Sequence, residues 1–243
     1  MGPRLRGDDV FERMNKAKLT ALAIRPAGTA SATPADSVLA IAGTGLAGDR
    51  HADPRSPRQV LLASASVYAD LSLPAHALGE NLLVDLDTAQ LRSGSVLQVG
   101  ESVLLRLMFQ CEACGYLDAR KAGLSARIGA RRGILARVLA GGVMRPGDAI
   151  RALAGTLPPW PDDWRERVAQ VLRAVPGGMV LSYAQLALLA GVQPTYCRAF
   201  PRVIGKLGPD HAGKAVSAQA ALGLRCWDGA GLFDDAAYKA CSS

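Results

Sequence analysis

Two cysteines three residues apart carry the strongest chemical signal in this 243-residue chain. They are Cys111 and Cys114, in the segment Gln110-Cys111-Glu112-Ala113-Cys114-Gly115. Thiols at this spacing serve as a redox pair, as half of a zinc site, or as a sulfur-handling thiol with a neighbour. Zinc needs two more ligands, and the imidazoles in this half, His51 and His76, form no paired motif. The polar setting of Gln110, Glu112 and Gly115 favours chemistry over two thiols buried as small hydrophobes. Basic residues crowd the stretch that follows. Arg120, Lys121, Arg127, Arg131, Arg132, Arg137, Arg145 and Arg151 stand against one acid, Asp148. Such a run is either a solvated cationic face or the footprint of a phosphate-bearing ligand or nucleic acid. Next to the thiols it would also favour the thiolate form.

The elements that must position these residues read as two domains. Apolar residues make up 49 % of the chain, enough for a core, while aromatics are only 5 %, so that core is aliphatic. The net charge of +7 permits an anionic partner without naming one. No apolar run reaches the ~20 residues that span a bilayer, and the start of the chain lacks a signal-peptide core, which predicts a cytoplasmic protein. The odd total of five cysteines is no disulfide framework. Residues 1–17 read as a short helix or a loose arm. Short apolar runs then alternate with Gly, Ser, Pro and Asp: Lys18–Ile24, Ser37–Ala42, Gln59–Ala63, Asn81–Val84, Val96–Val99 and Ser102–Met108. This texture predicts a sandwich or barrel, with a helix over Ser64–Leu71, a closing strand at Ala149–Leu153, and strand or helix at Arg132–Leu139. Pro158-Pro159-Trp160-Pro161 marks the boundary, giving domains at 1–155 and 160–243. Beyond it the texture is helical. Asp162 or Asp163 caps a helix to about Ala174, Ser182 caps a second over Tyr183–Ala190, and Pro194 opens a third segment, a pattern that suits a helix-turn-helix.

The first half resembles the MOSC domains, such as the C-terminal domain of molybdenum-cofactor sulfurases. The resemblance runs from Lys18 to Leu153. It is carried by Gly48-Asp49-Arg50-His51, Arg58-Gln59-Val60-Leu61-Leu62, Leu78-Gly79-Glu80-Asn81-Leu82, the cysteine loop, Ala136-Arg137-Val138-Leu139 and Arg145-Pro146-Gly147-Asp148. It implies a mostly-β, barrel-like fold that binds a molybdopterin-type molybdenum cofactor or carries sulfur on a cysteine, with a redox or sulfur-donor protein as partner. The family cysteine sits in a Pro-Cys-x-x-Leu setting. Ala113-Cys114-Gly115-Tyr116-Leu117 matches, with Ala in place of Pro. The resemblance thus makes Cys114 the sulfur carrier or metal thiolate and Cys111 an accessory thiol. Arg50, Arg58 and Arg137 would pair with the pterin phosphate, Asn81 would donate hydrogen bonds to the ligand, and His51 would sit at the cofactor. Asp49 and Glu80 read as structural partners.

Residues 167–207 resemble the DNA-binding part of the alkylguanine-DNA alkyltransferases and alkyltransferase-like proteins. The carrying residues are Pro176-Gly177-Gly178, Val180-Leu181-Ser182-Tyr183, Ala190-Gly191 and Arg198-Ala199-Phe200. The resemblance implies DNA as partner, with Tyr183 as the helix-start tyrosine and Arg198 as the arginine that fills the gap left by a flipped base. The whole chain is then expected to be α+β: the barrel-like domain followed by a small helix-turn-helix or winged-helix domain. Pro201 is expected to end or kink the recognition segment. The family's Pro-Cys-His-Arg acceptor is absent, since the best-placed segment is Ser217-Ala218-Gln219-Ala220. With neither thiol nor base there is no activated nucleophile. Incubation with DNA carrying radiolabelled methylguanine should therefore leave the protein unlabelled; label on Cys197 or Cys226 would contradict this.

Overall fold

The computed structural model describes residues 17–29 and 31–233. The expected N-terminal helix or arm falls on 1–17 and so lies, save its last residue, outside the described residues. The described chain divides into two compact units, one from 17–54 and 58–159, the other from 55–57 and 160–233.

The first unit is built on a closed barrel of seven strands. In chain order the strands of this unit are β1 (Ala17–Ile24), β2 (Thr33–Pro34), β3 (Val38–Ile41), β4 (Gly45–Leu46), β5 (Val60–Ser64), β6 (Leu82–Val84), β7 (Ser95–Val99), β8 (Val103–Gln110), β9 (Ile134–Ala140), β10 (Gly142–Met144) and β11 (Ala149–Thr156). Around the barrel the order is β11-β7-β8-β9-β5-β6-β1, and pairing of Ala17 with Ile150 closes it between β1 and β11. Closure leaves no open edge along the wall. Every pairing in the barrel is antiparallel except β5 with β6. β2 extends the end of β1, and β10, β3 and β4 form a separate small sheet, of which the apolar run Ser37–Ala42 marked β3 alone.

Alternation along the strands fills the interior with aliphatic side chains, among them Leu19, Leu62, Leu82, Leu97, Leu105, Leu107, Ala136, Val138 and Ile150. The segment at Arg132–Leu139, ambiguous by period, is a strand from Ile134 because both its neighbours, β5 and β8, pair with it. On the outside of β5 pack three short helices: α1 (Ala65–Asp70), α2 (Gly115–Asp118) and α3 (Leu124–Ile128). Their apolar contacts are Val67, Leu117, Leu124 and Ile128 against Ala63 and Leu78. Only α1 was legible beforehand.

The second unit holds α4 (Trp164–Ala174), α5 (Tyr183–Leu189) and α6 (Phe200–Lys206), with a two-residue parallel pairing between β12 (Leu181–Ser182) and β13 (Ala215–Val216). Asp163 caps α4 by accepting from Arg165 N at 2.7 Å. Ser182 and Gln185 form a reciprocal capping box on α5. The core aromatic is Phe200, with Tyr183 edge-on at 5.9 Å and Trp164 at 6.4 Å between centroids. Pro201 corrects the expectation of a broken helix. The segment Pro194–Ala199 is a 3-10 helix, and Pro201 stands in the first turn of α6, where its missing N–H has no carbonyl to serve. Arg167 is fully buried, donating to the carbonyls of Ala190, Pro161 and Asp162 at 2.7–3.0 Å.

Gly133 fixes the start of β9. It has φ +123, its carbonyl accepts from Cys111 N at 2.8 Å, and a Cβ there would lie 2.2 Å from Leu62 O. That oxygen is backbone and cannot yield. Gly133→Ala should lower stability by about 2–4 kcal/mol, read as a reduced urea midpoint with an unchanged slope.

Candidate functional site

The cysteine loop leaves the end of β8 and enters α2. Residues 111–114 contain neither turn nor bend, and Cys114 is extended at φ −147, ψ 166. Residues three apart in extended chain are separated by about 10 Å, beyond the reach of a disulfide at roughly 7 Å between Cα atoms. Neither thiol is in a disulfide. The alternation also separates their surroundings: Cys111 is buried and Cys114 half-buried. Among the described residues no group of three or more His, Cys, Asp or Glu could hold a metal ion by itself, so His51 and His76 do not complete a zinc site with the thiols.

Each sulfur has its own guanidinium. Arg58 Nη2 lies 3.7 Å from Cys111 Sγ. Arg132 Nη1 donates to Cys114 Sγ at 3.1 Å and also to the carbonyl of Glu112. Arg132 is itself buried, at the end of the 3-10 turn Gly129–Arg132 that Gly133 terminates.

A second arginine group surrounds the Gly48-Asp49-Arg50-His51 turn. Asp49 is buried and organises it, accepting from Arg25 N at 2.9 Å, His51 N at 2.8 Å and Asn81 Nδ2 at 2.7 Å. Arg50 Nε approaches His51 Nε2 at 3.4 Å. Burial first, then the charge of Arg25, hold His51 down to about 4, with Arg50 and Arg58 acting the same way and Asp49 opposing. His51 is therefore neutral at pH 7 in a field of guanidinium groups. Arg25, only 9 % exposed, is acted on by Asp49, Tyr116 and Cys111, which ties this group to the cysteine loop. The bare backbone of Gly79 lets them approach: a Cβ there would meet Arg25 Nη1 at 3.3 Å and the Tyr116 ring at 3.4 Å. Arg120 lies over the same ring at 5.0 Å and donates to the Tyr116 hydroxyl at 2.9 Å.

Two residues expected at the ligand belong to the framework. Asn81 is 1 % exposed; its amide donates to Ala23 O and Asp49 and accepts from Leu61 N, so its polar atoms join β1, β5 and the Asp49 turn. Arg137 points into the 43–54 loop, donating to Pro54 O at 3.0 Å and Gly43 O at 3.4 Å. Arg50, His51, Arg58 and Cys111 do come together, while Cys114 accepts from Arg132. Asp49 and Glu80 are structural acceptors. Arg25 was not singled out beforehand, and Arg132 was named only as a member of the basic run; the one hint for Arg25 is a cation directly at the end of an apolar strand run. The basic run from Arg120 to Arg151 is not one patch. Arg120 and Arg132 reach the thiol region, Lys121 binds the carbonyls of Leu71 and Ser72, Arg131 pairs with Asp70 at 3.4 Å, and Arg145 and Arg151 are exposed. In the second unit Tyr183 is half-buried against Phe200, and Arg198 is exposed on the 3-10 segment.

Residues 48–151 match the MOSC domain. Most of the matched stretch lies in the barrel unit. A crystal structure of a hypothetical protein shares the fold at TM-score 0.51 and 19 % identity, over 82 % of this chain and 95 % of that one. YuaD from Bacillus subtilis aligns at TM-score 0.48 and 20 % identity, over 55 % of this chain and 93 % of that one. YiiM from Geobacillus stearothermophilus aligns at 0.49 and 15 %, over 77 % and 98 %. No curated protein matches the chain by sequence. None of these similarities supports the alkyltransferase resemblance, which rests on the sequence alone.

The histidine field can be read directly. His51 should stay neutral down to about pH 4 in an NMR titration, and its titration should move upward when an oxyanion enters the arginine group. A His51 midpoint near the ordinary 6.5 would contradict the geometry.

Proposed function

We propose that this chain binds a molybdopterin-type molybdenum cofactor, or carries sulfur, through Cys114. The observation that carries the proposal is the half-buried Cys114 sulfur bonded to a buried guanidinium, beside a second arginine group with no metal-ligand cluster of its own. The donor set fits the group. A thiolate is a soft ligand suited to molybdenum and to sulfur transfer. Nε of Arg25 and of Arg132 is buried without a hydrogen-bond partner among the described residues, as expected of cations built to receive an anion. Arg25, Arg50 and Arg58 would hold the pterin phosphate, Arg132 would hold the Cys114 sulfur, and Cys111 serves as an accessory thiol. Such a cofactor, when bound, supplies two-electron redox chemistry. The residues of this chain would bind it, neutralise its phosphate and hold the Cys114 sulfur. Reduction of N-hydroxylated compounds, such as modified bases, by a cytoplasmic enzyme fed by a redox partner is the activity we favour; sulfur transfer from a donor protein is the alternative on the same residue.

For the second unit we propose a nucleic-acid-facing helix pair related to the alkyltransferase-like proteins, a non-catalytic damage-recognition module in which Tyr183 and Arg198 make the contacts. What supports it is the capped α5 followed by a Gly191 turn and a segment that exposes Arg198.

Protein purified under reducing conditions should contain molybdenum and fluorescent pterin. Cys114→Ser should lose the metal and the reductase or persulfide signal, while Cys111→Ser should keep a reduced share of both. Equal signals in Cys114→Ser and the parent would defeat the assignment.

A further inference from the structure

The connection from β5 to β6 runs beside the arginine group without contributing a guanidinium to it. It contains a buried cluster that the function above does not use. Glu80 is 1 % exposed, and its two oxygens are taken by His76 Nδ1 at 3.1 Å and by the hydroxyl of Tyr68. That hydroxyl also accepts from Leu78 N at 3.1 Å. Burial and the Glu80 carboxylate push Tyr68 above its ordinary range, so it remains a donor. His76 is one of two non-glycine residues with positive φ among the described residues, at +57, a conformation that persists where the surroundings enforce it. Three residues on, Gly79 lies against Arg25 and Tyr116, and Asn81 then joins Arg25 and Asp49. Whatever holds His76 to Glu80 therefore holds one wall of the arginine group.

We infer that His76 and Glu80 are positioning residues: their ion pair clamps residues 76–81 against Arg25 and Tyr116 and thereby keeps the oxyanion site formed. This rests on reading the arginine group as an oxyanion site. Among the described residues, the titratable and charged groups facing the pair are Tyr68 of α1 and, across Gly79, Tyr116 of α2, Arg120 on its ring, and Arg25 after β1. The hydrogen bond to Glu80 raises His76 above 6.5, with burial partly opposing. A histidine raised in the folded state contributes while it is protonated and ceases to contribute as pH climbs through its folded value. The clamp is thus tightest on the acid side of that value and looser on the alkaline side, where only a neutral hydrogen bond from Nδ1 remains.

The full chain has three histidines, so their imidazole signals can be followed individually by NMR. His76 should titrate above 6.5. Sulfate, a dianion across the whole range, should bind about fivefold more weakly once His76 is neutral. His76→Asn, whose side chain tolerates positive φ, and Glu80→Gln should bind sulfate with an affinity that no longer changes over that interval. Hydrogen exchange gives a second reading. The Gly79 amide, bonded to His76 O at 3.0 Å, should lose protection relative to the Asn81 amide, bonded to Leu61 O at 2.8 Å, as His76 deprotonates. A His76 midpoint at or below 6.5, or the parental pH dependence of sulfate binding in His76→Asn, would overturn the proposal. Absence of sulfate binding at every pH would defeat the oxyanion reading instead; the exchange ratio then decides the clamp, and a ratio that ignores pH rejects it.

Discussion

The buried carboxylate of Asp49 is the constraint on which the rest of the site depends. It cannot sit at 5 % exposure without donors, and it finds them in the backbone of Arg25 and His51 and in the side chain of Asn81. Those three donors come from the end of β1, from the turn after β4 and from the residue before β6. Removing a partner from a buried charge costs about 3–5 kcal/mol, so the three segments are held in register by one group. The consequence is electrostatic as well as mechanical. The neighbouring His51 feels Arg25, Arg50 and Arg58, while the donors to Asp49 are two backbone N–H groups and the Asn81 amide.

The same logic explains why Cys111 and Cys114 behave as different residues despite their short spacing. Extended backbone gives them opposite surroundings, one thiol enclosed under Arg58 and the other reached by Arg132. The strand end and the short α2 helix leave one thiol half-buried and enclose the other.

Much of this was legible in the residues. The barrel strands follow the apolar runs closely because each run is bounded by turn chemistry and lies on a wall with one buried face. The turn Gly48-Asp49-Arg50-His51 and the cysteine loop were visible as chemistry. What the sequence hid is what closure decides. Arg25 and Arg132 belong to the site only because β1 and β9 are placed beside segments distant in the chain, and Asn81 and Arg137 leave it because nearby backbone groups claim them first. Pro201 was misread for a local reason: a proline that breaks a continuing helix also starts a new one, and the position of the helix start decides which.

The barrel has one further property with a bearing on how the protein is made. Its last seam joins residue 17 to residue 150, the first and last strands of the ring. Until β11 exists, β1 has one edge unpaired, and the interior leucines have no complete wall around them. Such distant pairing is entropically costly to reach and slow to form. During synthesis the N-terminal strand must therefore wait, exposed, for nearly the whole of the first unit to follow it. Protection of that edge in the interval falls to whatever covers it before the seam closes.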